Sequence, residues 1–150
     1  MQSFIITSSV LLFVFYIGLH EGINDGGGSI VGPILFLTSS VLGIFVAFFF
    51  PLDKGGEIIT LKGKMHLILV IGSGLLTIAG MVALWFRLQF VEAWSLFATY
   101  SLLSAIVSLI LVIISGIFIK SKCRGLLERF GVTPYQLYYF VLSLMVILNN

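Results

Sequence analysis

Charge is what this chain lacks. Only 9% of its 150 residues are Asp, Glu, Lys or Arg, against about 25% in a soluble domain. So few charges cannot cover a water-facing surface, and with 59% hydrophobic residues the chain must take lipid as its solvent. The net charge of +2 comes with no basic tract interleaved with aromatics, which excludes a nucleic-acid role. Cys123 is the single cysteine, so no intrachain disulfide can form. It stands among Lys120, Lys122 and Arg124 and reads as a plain small residue. No charged residue lies near the middle of any apolar run. Intramembrane ionisable groups usually mark proton relays and ion pathways, so their absence argues against a proton-coupled pump or an ion channel. A lipid-handling protein, whose cargo is itself apolar, is left open.

What is there is a series of apolar runs. A bilayer core takes about 20 apolar residues per helix, and five stretches qualify or nearly so: 3–19, 30–51, 65–86, 95–119 and 134–148. Backbone groups in lipid must be satisfied within the segment, so these runs predict helices. The first is preceded by no basic residue and followed by no small-x-small cleavage site, so it reads as a retained helix rather than a signal peptide. The expected fold is all-α, a polytopic transmembrane helix bundle of about five spans in one domain, 1–150.

The loops carry the orientation signal. Loop one, "HEGINDGGGS", has no Lys or Arg, and loop three has Arg87 alone. Loops two and four hold Lys54, Lys62, Lys64, Lys120, Lys122, Arg124 and Arg129. With five spans these two loops share a side, and the positive-inside rule makes that side cytoplasmic. The expectation is a multi-pass protein of the cell membrane with its N-terminus in the cytoplasm.

Lipid offers no hydrophobic drive for helix association, so small residues must let backbones approach. Helix two presents Ser39, Gly43 and Ala47 at four-residue spacing, and helix three presents Ser73, Thr77 and Gly80 on one face. In helix four, Ser101, Ser104, Ser108 and Ser115 fall within a stripe of about 60°. They form either a polar track for a substrate or a close-packed seam whose hydroxyls bond back to their own helix. The seam is the favoured reading.

The polar residues collect at two places. His20, Glu21 and Asp25 lack the spacing of a metal motif such as H-E-x-x-H. They read as a solvated loop, so no metal and no cofactor is expected. "NDGGG" lacks the lysine of a phosphate-binding loop and suits a helix connection. The other side is richer. Pro51 ends helix two, Gly55 and Gly56 permit a reversal, and Asp53, Glu57 and His66 follow. "GLLERF" (125–130) there reads as a short interfacial helix. Loops two and four lie together, so Asp53, His66, Glu128 and Arg129 are expected to converge as a structural clasp or a headgroup site. Arg129 suits a bidentate bond to a carboxylate or phosphate.

"FFFPLDKGG", "LKGKMHLILVIGSGL", "W…YSLLSAIVSLI" and "GLLERF" before a final helix together resemble the domain-of-unknown-function family 998 of prokaryotic integral membrane proteins. The motifs span roughly 30–148. The resemblance implies a polytopic helical bundle with no established activity and about six spans, so this chain reads as one helix short at its N-terminus.

Two functions follow as expectations. The first is a non-enzymatic lipid- or small-solute-handling component, or a subunit of a membrane complex, with lipids and other membrane subunits or a second copy as partners. The second is an intramembrane enzyme acting on lipid headgroups at the loop-two/loop-four face.

Overall fold

A computed structural model describes residues 2–50, 60–118 and 124–149, and the side chains at 7, 10–50, 60–118 and 129–149. Among the described residues there are five α-helices and no strand. They are α1 (Gln2–Gly22), α2 (Val31–Phe49), α3 (Leu61–Leu88), α4 (Ser95–Ile117) and α5 (Arg124–Leu148). Short 3-10 turns, Asn24–Gly26 and Glu92–Trp94, follow α1 and precede α4. Four of the described stretches are long and apolar enough to cross a bilayer: Val31–Phe49, Leu61–Leu88, Glu92–Ile117 and Arg129–Leu148. The described apolar part of α1, Val10–Gly22, is shorter. A polytopic membrane helix bundle is the architecture, as the apolar runs predict.

The helix ends depart from the sequence expectation. Thr60 caps α3, its Oγ1 accepting from Gly63 N–H at 3.1 Å. The helix therefore starts four residues before the expected 65, and Lys62, Lys64 and His66 are helical. It also runs on to Leu88, so Arg87 belongs to its last turn rather than to a loop. "GLLERF" is not a separate interfacial helix: its residues are continuous with α5, which carries Pro134 inside it. Proline lacks an N–H and usually breaks a helix. Within a bundle, however, neighbouring groups re-satisfy the freed backbone. Next to the proline, Thr133 Oγ1 donates to Arg129 O at 2.9 Å.

Successive helices pack on one another, α1 on α2 through α4 on α5. The aromatic side chains of α5 reach back and close the ring. Tyr138 is fully buried, with ring centroids 5.9 Å from Phe36 of α2 and 5.7 Å from Phe97 of α4. Tyr139 meets Tyr16 of α1 edge-on at 5.9 Å, and Tyr16 stacks on Phe36 at 5.4 Å. Such aromatic pairs add about 0.5–1.5 kcal/mol beyond the area they bury. The large apolar residues on the outer faces, such as Leu11, Phe48, Ile68, Leu103 and Ile147, are exposed. A surface of that kind needs lipid around it.

The small residues lie between helices in different ways. Ser39 of α2 is joined to α3 by bonds to Ser73 O (2.9 Å), Ser73 Oγ (2.8 Å) and Thr77 Oγ1 (2.9 Å). Ser73 Oγ returns a bond to Ser39 O at 3.1 Å, and Thr77 Oγ1 lies 3.2 Å from the Tyr139 hydroxyl. Gly43 and Ala47 are half-buried. Near the opposite end of α2, Gly32 and Gly80 also let α2 and α3 pack closely. On α4, Ser101 and Ser108 are fully buried, while Ser104 and Ser115 are half-buried. The Ser101 hydroxyl does not bond back to its own helix. It donates to Met81 O of α3 at 2.9 Å and pairs with the Tyr138 hydroxyl at 2.7 Å. A buried hydroxyl bonds across helices when a neighbour offers an acceptor.

Among the described residues, the buried hydroxyls of Ser108 and Tyr135 find no partner, while that of Tyr16 faces the Tyr139 hydroxyl. This sets up a contrast between substitutions. Ser101→Ala should cost about 1–2 kcal/mol, because it leaves Tyr138 short of a bond. Ser108→Ala should be neutral or stabilising, because it removes an unmet polar group. Thermal unfolding of the two variants in detergent checks this; a loss at Ser108→Ala equal to that at Ser101→Ala would contradict it.

Candidate functional site

The expected cluster at the loop-two/loop-four end falls largely outside the described residues. Asp53 and the Glu128 side chain are among those not described. The other two are described. Arg129 is exposed near the start of α5. His66 is half-buried, its Nδ1 2.6 Å from Phe50 O at the C-cap of α2. A carbonyl only accepts, so Nδ1 carries the proton. His66 therefore ties α3 to the last turn of α2 just ahead of Pro51.

The organised polar site lies at the other end, where α1 passes through loop one into α2 and α3 turns into α4. Its centre is Arg87. The guanidinium has five N–H donors in a rigid fork, and the structure gives each an acceptor. Nε donates to Gly27 O at 2.7 Å. Nη1 donates to Ser29 O at 3.2 Å and meets His20 Nδ1 at 3.1 Å. Nη2 donates to His20 O at 3.2 Å and to Ile23 O at 2.7 Å. His20 and Ile23 stand at the C-terminal end of α1, whose last carbonyls lack intrahelical partners and carry partial negative charge. Arg87 of α3 thus caps α1 and holds loop one. All five acceptors are neutral, and the Glu21 carboxylate acts on the guanidinium without a hydrogen bond.

Loop one is shaped for this contact. Ile23 is fully buried and anchors it. Asn24 (φ 52°) and Asp25 (φ 49°) adopt the left-handed region, which their short polar side chains tolerate better than most. Gly28 has φ 92°, and a Cβ there would lie 2.9 Å from Arg87 Cγ. Only glycine permits both that backbone and that approach. The His20–Glu21–Asp25 stretch, expected to be a solvated loop, therefore contributes His20 to a defined network. Among the described residues, no three His, Cys, Asp or Glu side chains come together as a metal would require.

Beside this network, between the N-terminal end of α2 and the last turns of α3, lies a cavity of about 490 Å³. That is within the roughly 300–1,000 Å³ of ligand clefts. Val31, Ala83 and Phe86 give it an apolar wall; Gly28, Ser29 and Arg87 form its polar side. Val31 and Phe86 are themselves exposed, so the cavity opens on the outer surface of the bundle. The first turn of α2 carries no acidic residue. Ser29 Oγ accepts from Val31 N–H at 3.2 Å, which leaves the hydroxyl proton to be donated elsewhere.

Sequence reasoning assigned Arg87 only a share of loop charge. The available signal was its isolation: it is the lone basic residue on a side otherwise without one. The family model described as "Protein of unknown function (DUF998)" matches residues 1–145, more of the chain than the motifs at 30–148 cover. Neither the curated proteins nor the solved structures contain a match to it.

Proposed function

The chain belongs to the DUF998 family of proteins of unknown function, and we propose that it is a non-enzymatic lipid-handling protein of the cell membrane. The observation that carries this reading is the cavity between α2 and α3. Its apolar wall of Val31, Ala83 and Phe86 suits an acyl chain entering sideways from the bilayer. Its polar side offers the Ser29 hydroxyl and the charge of Arg87, whose hydrogen-bond partners are all neutral. An apolar cleft ending in a cation matches an amphiphile with a phosphate in its headgroup. The organised site lies at the end of the bundle opposite Arg129.

The loop charges support the orientation in which this end faces away from the cytoplasm. Seven of the eight basic residues lie in loops two and four or in the first turns of the helices that leave them, and the positive-inside rule keeps that end in. The N-terminus is then cytoplasmic, and the cavity opens in the outer leaflet.

The test uses the purified protein in phosphatidylcholine nanodiscs containing a small fraction of a photoactivatable phospholipid. Crosslinks are expected on residues 29–34 and 83–87. Ala83→Trp fills the cavity from a half-buried position and should remove most of the crosslinking there while leaving thermal stability unchanged. Equal labelling of that variant and the wild type would overturn the reading.

A further inference from the structure

We propose that His20 makes the Arg87 cavity respond to pH, holding its polar rim in place when the imidazole is neutral and releasing loop one when it is protonated. The inference rests on the lipid-handling reading for its purpose but not for its mechanism. A guanidinium has donors and no acceptor. His20 Nδ1, 3.1 Å from Arg87 Nη1, must therefore be the unprotonated nitrogen. A proton added there removes the lone pair that accepts the bond. It also sets a second positive charge about 3 Å from the first, where like charges repel strongly.

The two histidines of the chain differ in this respect. His66 donates to Phe50 O, and a donor keeps its bond in either charge state. His20 accepts, and an acceptor does not. A proton taken up by the imidazoles on acidification therefore strikes the Arg87 network and spares the α2–α3 hairpin.

The surroundings favour release over local rearrangement. The charged residues of the connections at this end are Glu21 and Asp25 around the first 3-10 turn and Glu92 before α4. The first turn of α2 has none, and α5 carries no charge after Arg129. An imidazolium leaving Arg87 thus has carboxylates at the exposed Glu21 and Asp25 to move toward. The same guanidinium holds Gly27 O, Ser29 O and Ile23 O. Its displacement loosens the segment that forms the polar side of the cavity. Asn24 and Asp25 are already in the left-handed region, so freeing the loop also relieves backbone strain.

The experiment measures amide hydrogen exchange of residues 24–31 in the whole protein. It uses phosphatidylcholine nanodiscs at about pH 8 and about pH 5, corrected for the intrinsic pH dependence of exchange. The amides of Gly27 and Val31 report directly, since each is bonded within the loop, to Asn24 O and to Ser29 Oγ. Wild type should show an at least roughly tenfold rise at the lower pH, the factor expected from losing one charge-assisted bond. His20→Gln keeps a neutral acceptor and should be flat. His66→Gln should respond as wild type does. A flat wild type, or a rise retained in His20→Gln, overturns the switch. Photoactivatable-lipid labelling on the same samples separates the two readings. A His20-dependent loop response with no labelling at either pH would leave the switch standing and remove the lipid. Labelling that is present but independent of pH, with a flat loop, would do the reverse.

Discussion

Replacing Arg87 with methionine is expected to lower the stability of the purified protein by about 2–3 kcal/mol. The substitution keeps most of the aliphatic stem and removes only the fork. Four carbonyls, those of His20, Ile23, Gly27 and Ser29, then lose their donor together. His20 O lies in the last turn of α1 and Ile23 O just beyond it, where no intrahelical N–H can replace the donor. Each vacated acceptor costs less than a fully buried one, because loop one is largely exposed and water can reach part of it. The cost is set by their number. Arg87→Lys should recover little, since an ammonium is a point charge with three donors and cannot span five acceptors in a fixed plane. Thermal unfolding followed by tryptophan fluorescence measures this, as Trp85 and Trp94 lie near the site in sequence. A loss below about 0.5 kcal/mol, the ordinary range of surface substitutions, would show that loop one is held by its own turns.

The spans were legible in the sequence because a bilayer leaves few alternatives. A run of about 20 apolar residues has to be a helix, and the runs at 30–51, 65–86 and 95–119 hold α2, α3 and α4 within their described residues. Their ends were less legible. Thr60 as a cap and Pro134 inside α5 depend on which backbone N–H and C=O groups find a partner, which local composition does not encode. The hydroxyls divide in the same way. Ser39, Ser73 and Thr77 were readable as small residues on facing sides of α2 and α3. Their partner Tyr139, however, comes from α5, 62 residues beyond Thr77. The Arg87 network was the least legible, because its acceptors lie 58 to 67 residues earlier and four of the five are backbone atoms. Backbone carbonyls have no sequence signature. Only the glycines of "NDGGG" hinted that a chain must pass close by, and they equally suit an unremarkable turn.

Gly80→Ala is expected to destabilise the bundle by about 1–3 kcal/mol, the usual cost of overfilling a packed core, although alanine is the better helix former. A Cβ at position 80 would lie 2.8 Å from Cε1 and 3.0 Å from Cδ1 of Phe36. Whether that is tolerable depends on whether the ring can retreat. Phe36 is fully buried and is flanked by Tyr16 at 5.4 Å, Tyr138 at 5.9 Å and Tyr139 at 6.2 Å. Those three rings are drawn from α1 and α5, so moving Phe36 means moving two further helices. Gly32 repeats the arrangement one turn away, where a Cβ would meet Leu84 Cδ2 at 2.9 Å and Gly80 O at 3.4 Å. The two glycines therefore set how closely α2 approaches α3, and hence the width of the neighbouring cavity at Ala83. Gly18, Gly72 and Gly116 supply the comparison, because nothing lies within 4 Å of a Cβ built on any of them. Alanine at those three positions should be neutral or stabilising by up to about 1 kcal/mol, through helix propensity alone. The expected result is thus opposite in sign for one substitution type in one chain. Thermal unfolding of the four single variants reads it directly. A Gly80→Ala variant as stable as Gly72→Ala would mean that α2 and α3 do not meet at Phe36.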